Sequence, residues 1–382
     1  MNKYLELTMT HRVDIHGKKM MGWLAPLMLA LTLMVSSCSP ATEGQEGNDA
    51  WVTLTISTGG EAAQAKASDA ASRASGSAAD KDWQVNDLTI YIFDQTGQVI
   101  GSSYASYSIN SKQDITATVK TRKAQGCTVI ALANAGTLSG TYATAQTTSP
   151  FAGVSTLSEF QQKYITFKDM ASLESAPCLL MVGYLTGFDT TSSGSNISLQ
   201  RLASRLDFTI TVNQDKVTGF PIVVDSYQLC HAPLSAYYAS ADMSSTGITL
   251  PSGTSFVEYA ANSTAFNSWT SGSNSQSYTA YVYANPATTA TDATYLLIKA
   301  HSQASPTDTR KIWQSEFKVY LTGITGPADY QLLSNYHYTI GITVQGSATE
   351  HNGVKTVYTA YPYYSSSLSA WGSDENRDLD MK

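Results

Sequence analysis

Apolar and polar residues alternate one by one in stretches that recur along the whole chain, and this period of two is what most narrows the fold. Leu206-Asp-Phe-Thr-Ile-Thr-Val212 and Tyr338-Thr-Ile-Gly-Ile-Thr-Val344 alternate without error. Trp51-Val-Thr-Leu-Thr-Ile-Ser57 places Val52, Leu54 and Ile56 on one face and Thr53, Thr55 and Ser57 on the other. Successive side chains of a strand point to opposite faces, so each stretch predicts a strand with one face in a core and one in water. Residues 88–94, a Gln95-Thr-Gly97 turn and Val99-Ile100 read as the opening of a hairpin whose first strand, apolar on both faces, is central. Further strands are predicted over 115–119, 128–133, 178–183, 222–229, 278–283, 295–300 and 313–320. Only Thr156-Leu-Ser-Glu159, a capping box ahead of Phe160 and Tyr164, predicts a short helix.

Composition agrees. Charged residues make up 14% of the 382, against about 25% in ordinary soluble domains; the helix formers Glu, Lys and Arg are scarce, while Thr, Tyr, Val and Ile abound. A polar break over 213–219 ends at Phe220-Pro221, and the chain divides there into an N-terminal domain, 74–215, and a C-terminal domain, 216–353. The expected fold class is all-β: two β-sandwich domains in series with few short helices. The net charge of -7, with no Lys/Arg cluster downstream of the N-terminal region, offers no basic surface to displace counterions from a phosphate backbone, so no nucleic acid partner is expected.

The N-terminal region reads as an export signal. Lys18 and Lys19 precede an apolar run, 20–35, that ends in Val35-Ser36-Ser37-Cys38. The run is short of the roughly 20 residues that span a bilayer, and small residues directly before a Cys form a lipobox. Residues 1–37 are thus a predicted signal peptide, Cys38 the predicted lipidation site and 38–50 a polar tether. The other cysteines, Cys127, Cys178 and Cys230, lie in or beside apolar strand-like runs and read as small buried hydrophobes. After the 51–57 strand, residues 58–80 are small and polar, with Arg73 between Ser72 and Ala74. Exposed loops of small residues are where proteases cut, although on residues alone an arginine in such a loop is usually just a solvated side chain.

Motifs that carry chemistry are missing from the sequence. His231, His301, His337 and His351 lack metal-ligand spacing, and there is no nucleophile elbow, phosphate loop or calcium loop. No enzyme activity, metal or cofactor is expected, and the carboxylates Asp374 and Glu375 belong to an acidic tail. Tyr237-Tyr238, Trp269, Tyr361 and Tyr363-Tyr364 suit sugar stacking as well as core or interface packing, which keeps a surface glycan-binding lipoprotein as an alternative.

The order of landmarks resembles the fimbrillins of Bacteroidales, the subunits of type V pili. The resemblance rests on the lipobox, the lone strand, the small-residue loop with its Arg, Val85-Asn-Asp-Leu-Thr-Ile-Tyr-Ile-Phe-Asp-Gln-Thr-Gly97, Val129-Ile-Ala-Leu-Ala-Asn134, Leu199-Gln-Arg-Leu-Ala-Ser-Arg-Leu-Asp207, Tyr281-Val-Tyr-Ala-Asn-Pro286 and Leu333-Ser-Asn-Tyr-His-Tyr-Thr-Ile340. It implies transthyretin-like, Greek-key sandwiches and a lipoprotein precursor at the outer membrane. An Arg-specific protease would cut it at Arg73-Ala74, removing residues 51–73 together with Val52, Leu54 and Ile56. The vacated groove would take a donor strand from another fimbrial subunit in an extracellular fimbrium, in a homopolymer with tip and anchor subunits added. The candidate donor is the C-terminal segment 354–382, with Val354, Val357, Tyr358 and Tyr361 in Val354-Lys-Thr-Val-Tyr-Thr-Ala-Tyr361, Pro362 as a break and 365–371 as a second short piece. Its alternation is poorer than that of 51–57, which leaves stalk, tip and anchor roles open.

Overall fold

The alternating stretches become strands of two stacked pairs of sheets in a computed structural model. It describes residues 48–58, 81–143, 150–192, 194–239, 249–269, 272, 274–321, 330–348 and 354–362, the last segment in its backbone only. All of them belong to one unit, Asn48–Lys382. In chain order the strands are β1 Asp49–Ser57, β2 Val85–Phe93, β3 Val99–Ile109, β4 Asp114–Arg122, β5 Cys127–Ala133, β6 Tyr164–Thr166, β7 Met181–Phe188, β8 Ser195–Ser198, β9 Gln200–Arg201 and β10 Ala203–Val212. They continue with β11 Ile222–Cys230, β12 Ala232–Pro233, β13 Ser235–Tyr237, β14 Phe256–Val257, β15 Phe266–Asn267, β16 Ser275–Tyr283, β17 Tyr295–Gln303, β18 Lys311–Tyr320, β19 Tyr336–Val344 and β20 Val354–Pro362. Three short helices, α1 Ala135–Leu138, α2 Leu157–Gln161 and α3 Met170–Ser175, complete the described elements.

In the N-terminal sandwich a three-stranded sheet, β4-β1-β8, packs on a five-stranded one, β3-β2-β5-β7-β9. Val52, Leu54 and Ile56 share its core with Leu88, Ile90 and Ile92 of β2 and Val129 and Ala131 of β5. The opposite face of the large sheet is also covered: Phe93, Ile130 and Leu132 join a second core that runs through the helices into the C-terminal half. Burial on both sides explains why β2 and β5 read as apolar throughout.

The C-terminal sandwich pairs sheets β16-β10-β19-β20 and β15-β11-β17-β18. Strand β10 lies before the sequence division at 215/216, yet it is bonded to β16 and β19 beyond it. Asp207 on β10 ties this sheet together, accepting hydrogen bonds from Thr279 of β16 (2.7 Å) and from Arg205 (3.0 Å) and pairing with His337 of β19. Burial alone would raise its pKa, but the bonds from His337, Thr279 and Arg205 outweigh burial and lower it to about 2.

Helix α2 carries the predicted capping box: Thr156 Oγ1 accepts from the Glu159 N–H, and Glu159 accepts from the Thr156 N–H. The helix ends before Tyr164, which lies on β6. The buried run 178–183 becomes a strand only from Met181, because Asn134 of the neighbouring turn binds the Leu179 carbonyl through its side chain (2.6 Å).

Candidate functional site

The first strand occupies the middle of the small sheet. It runs antiparallel to β4, from Asp49 opposite Arg122 to Ser57 opposite Asp114, and parallel to β8, from Leu54 opposite Ser195 to Ser57 opposite Ser198. Among the described residues, β4 and β8 are joined in this sheet only through it. Its ends are fastened: the Asn48 carbonyl accepts the Lys123 N–H (2.7 Å), and the Ser57 carbonyl accepts the Leu199 N–H (2.9 Å). Thr58 Oγ1 exchanges two bonds with the Gln113 backbone, at 2.9 and 3.0 Å. Asp49 forms an exposed ion pair with Lys120 (2.9 Å). The alternation does what the sequence predicts, since Val52, Leu54 and Ile56 are 0% exposed while Trp51 on the outer face is 67% exposed.

The strands flanking β1 are seated on the opposite sheet independently of it. A Cβ on Gly101 of β3 would stand 2.8 Å from the Lys120 carbonyl of β4, and Thr121 Oγ1 donates to the Ile100 carbonyl there (3.1 Å). A Cβ on Gly183 of β7 would stand 2.6 Å from Ile197 of β8. Both corners of the sandwich therefore close at a glycine. Without β1, edges of β4 and β8 would face one another across two strand spacings, about 9.5 Å.

Beyond residues 59–80, the chain is clamped again at Lys81-Asp82-Trp83. Lys81 Nζ donates to the carbonyls of Leu173 (3.3 Å) and Glu174 (3.0 Å) and lies 4.1 Å from the Tyr281 ring centroid. Burial, partly offset by Asp82 and Glu174, lowers its pKa to about 8. Arg201, fully buried, donates from Nε to the Asp82 carbonyl (2.6 Å), holds its guanidinium 4.3 Å from the Trp83 ring centroid and receives Asn335 Oδ1 on its backbone N–H (2.9 Å). Sequence reasoning included Arg201 in a quoted landmark but gave it no role; a cation beside a strand start says nothing of which backbone carbonyl it will reach.

The remaining candidates fall in different places. Cys38, Arg73 and Ala74 lie outside the described residues. Val354, Val357, Tyr358 and Tyr361 lie on β20, whose backbone pairs antiparallel with β19. There Val354 and Tyr358 stand opposite Val344 and Ile340, whereas Val357 and Tyr361 stand opposite Gly341 and His337. The four candidates thus divide between two strand faces. Tyr237 sits on β13 against Tyr164, and Trp269 follows β15 in another sheet; Tyr238 is buried. Cys127, Cys178 and Cys230 are buried free thiols, and burial pushes Cys178 up to about 12.

Comparisons with known proteins agree with this architecture. Residues 50–200, which run from β1 into β9, match the sequence profile of the family described as Major fimbrial subunit protein (FimA). No curated protein sequence matches the chain. Among solved structures, a candidate cell adhesion protein from Parabacteroides distasonis is similar with a TM-score of 0.57 at 16% identity, covering 85% of this chain and 99% of its own. A second from the same species has a TM-score of 0.53 at 12% identity, covering 83% and 99%. A fimbrilin (fimA) from Porphyromonas gingivalis W83 has a TM-score of 0.51 at 11% identity, covering 82% and 98%. Residues 50–200 thus carry the sequence pattern of the major fimbrial subunit family, and the fold of the described residues is the one these cell adhesion and fimbrial structures share.

Proposed function

We propose that this chain is a structural pilin of a type V fimbrium, exported as a lipoprotein through Cys38, cut after Arg73 and polymerised when a neighbour's strand replaces β1. The observation that carries this reading is the position of β1: three fully buried side chains at the centre of a sheet, on a segment followed in sequence by a run of small polar residues. Each such side chain contributes roughly 1.5–3 kcal/mol by burial, and each backbone bond on the vacated edges about 1 kcal/mol. A strand that restores both terms joins subunits head to tail, a heterologous contact that extends rather than closes. The clamp at 81–83 supports the same reading, because a cut at Arg73 would free β1 while the new N-terminal segment stays anchored through Arg201.

N-terminal sequencing or mass analysis of fimbrial material sheared from cells tests the proposal. Chains beginning at Ala74 are expected. Chains that all begin at lipidated Cys38 would make this an anchor subunit that keeps its first strand. The division of the β20 candidates between two faces favours a second reading, a tip subunit that accepts a strand but donates none; terminal placement by immunogold labelling would identify it.

A further inference from the structure

Strand β18 is a sheet edge 10 residues long, and among the described residues no strand pairs with its outer side. Such an edge presents a row of backbone N–H and C=O groups that can template another strand. Its regular part is bounded. Ser302 stands opposite Trp313 and Gln303 opposite Lys311, so Ile312 is the extra residue of a bulge that bends the strand just before Trp313. Beyond it the ladder with β17 runs without a shift, from His301 opposite Gln314 to Tyr295 opposite Tyr320. Over that stretch Phe317 and Val319 enter the core, while Gln314, Glu316 and Lys318 are exposed on the outer face. Ser315, on the inward side, accepts the Ala348 N–H through its Oγ (3.2 Å), a bond to a side chain rather than to the strand edge.

The exposed side chains of this edge are complementary to themselves. A two-fold axis perpendicular to the sheet keeps both cores on one side only if residues of the same face meet, so the axis must pass through a residue position. Centred on Phe317, it sets Glu316 of each copy opposite Lys318 of the other and Gln314 opposite Tyr320. Moved by one residue to Glu316 or to Lys318, it would set two glutamates or two lysines directly opposite each other, which disfavours both neighbouring registers. Phe317 is also the midpoint of the unshifted stretch 314–320. Glu316 pairs with Lys299 of β17 (2.9 Å), so Lys318 of a second copy would extend an existing row of alternating charge. We infer that β18 pairs edge to edge with β18 of a second copy, antiparallel about Phe317, which joins two four-stranded sheets into one. The opposed charges fix the register more than they add affinity; the backbone ladder holds the pair. This contact is isologous and closes after two copies, so it is separate from head-to-tail growth and requires neither cleavage nor the departure of β1.

Charge reversal tests the pairing in the uncut full-length chain, held in mild detergent and followed by sedimentation over a concentration series. Glu316→Lys and Lys318→Glu change exposed side chains only. Either variant alone opposes like charges at both symmetry-related positions, and self-association is expected to weaken by at least about tenfold. Mixed in equal amounts, the two variants meet with Lys against Glu at both positions, and a heterodimer of near-parental strength is expected, an outcome that a folding defect in either chain could not produce. Variants that self-associate as the parent does would overturn the proposal. A mixture no stronger than its separate components would overturn the register about Phe317, and a parent that stays monomeric across the series would overturn the pairing itself.

Discussion

Shortening Leu54 to alanine separates what β1 does for the precursor from what it does for the cut protein. Leu54 is 0% exposed and lies midway between Val52 and Ile56 in a core closed by β2 and β5. Leu→Ala at such sites costs about 2–5 kcal/mol, the larger values where the surroundings cannot collapse. The glycine corners at Gly101 and Gly183 hold β4 and β8 in place, so a value in the upper half, about 3–5 kcal/mol, is expected. Denaturant unfolding of the uncut chain, followed by the N-terminal transition, measures it. A second readout follows nicking at Arg73: the same free energy, at about 1.4 kcal/mol per decade, should speed dissociation of the first strand by roughly 10²-fold or more. Once that strand has gone, variant and parent become the same molecule and must unfold alike. An unchanged uncut precursor would refute the claim that β1 completes the N-terminal core. A difference persisting after release would show that residues 51–57 never left.

Gly183→Val should destabilise the chain by about 1–3 kcal/mol through overpacking against Ile197, seen as a lowered unfolding midpoint before and after cleavage. Thr156→Ala, which removes one half of the capping box of α2, should cost about 1 kcal/mol, whereas Thr156→Ser should be near neutral in the same denaturant series. Asp207 has a pKa of about 2 when folded, below its unfolded value of about 3.9. Its contribution is therefore complete above the unfolded value and is lost as pH falls through about 2, so stability should drop more steeply below pH 4 in the parent than in Asp207→Asn. The thiols of Cys127, Cys178 and Cys230 should resist alkylation at pH 8 in the native protein and react together on unfolding; fast native labelling of Cys178 would contradict its burial and its pKa near 12.

The strands were legible because alternation is a local property. Leu206 to Val212 and Tyr338 to Val344 needed nothing beyond their own side chains to be read, and Thr156 with Glu159 announced α2 in the same way. Pairing is not local. Nothing in 203–212 says that its neighbours are 275–283 and 336–344 rather than strands before it, which is why a polar break at 213–219 attracted the domain division. The inward set Val52, Leu54 and Ile56 was readable, but not the two glycines that seat the flanking strands, since a glycine in a strand looks the same whether it lies open to water or under another backbone. Helix α1 was missed for a related reason: its start is supported from afar, with Asp87 of β2 accepting the N–H groups of Gly136 (3.0 Å) and Thr137 (2.6 Å).

Residues 195–212 belong in turn to three sheets: β8 beside β1, β9 beside β7, and β10 between β16 and β19. Tension entering at the β1 position is therefore passed to the C-terminal sandwich along continuous covalent backbone, with Arg201 riveting the crossing to Trp83 and Asn335. If subunits exchange strands as proposed, a fibre of such units would part, when stretched, at its exchanged strands before its two sandwiches separate, and its tensile limit would be set by the shear strength of the two ladders along β4 and β8.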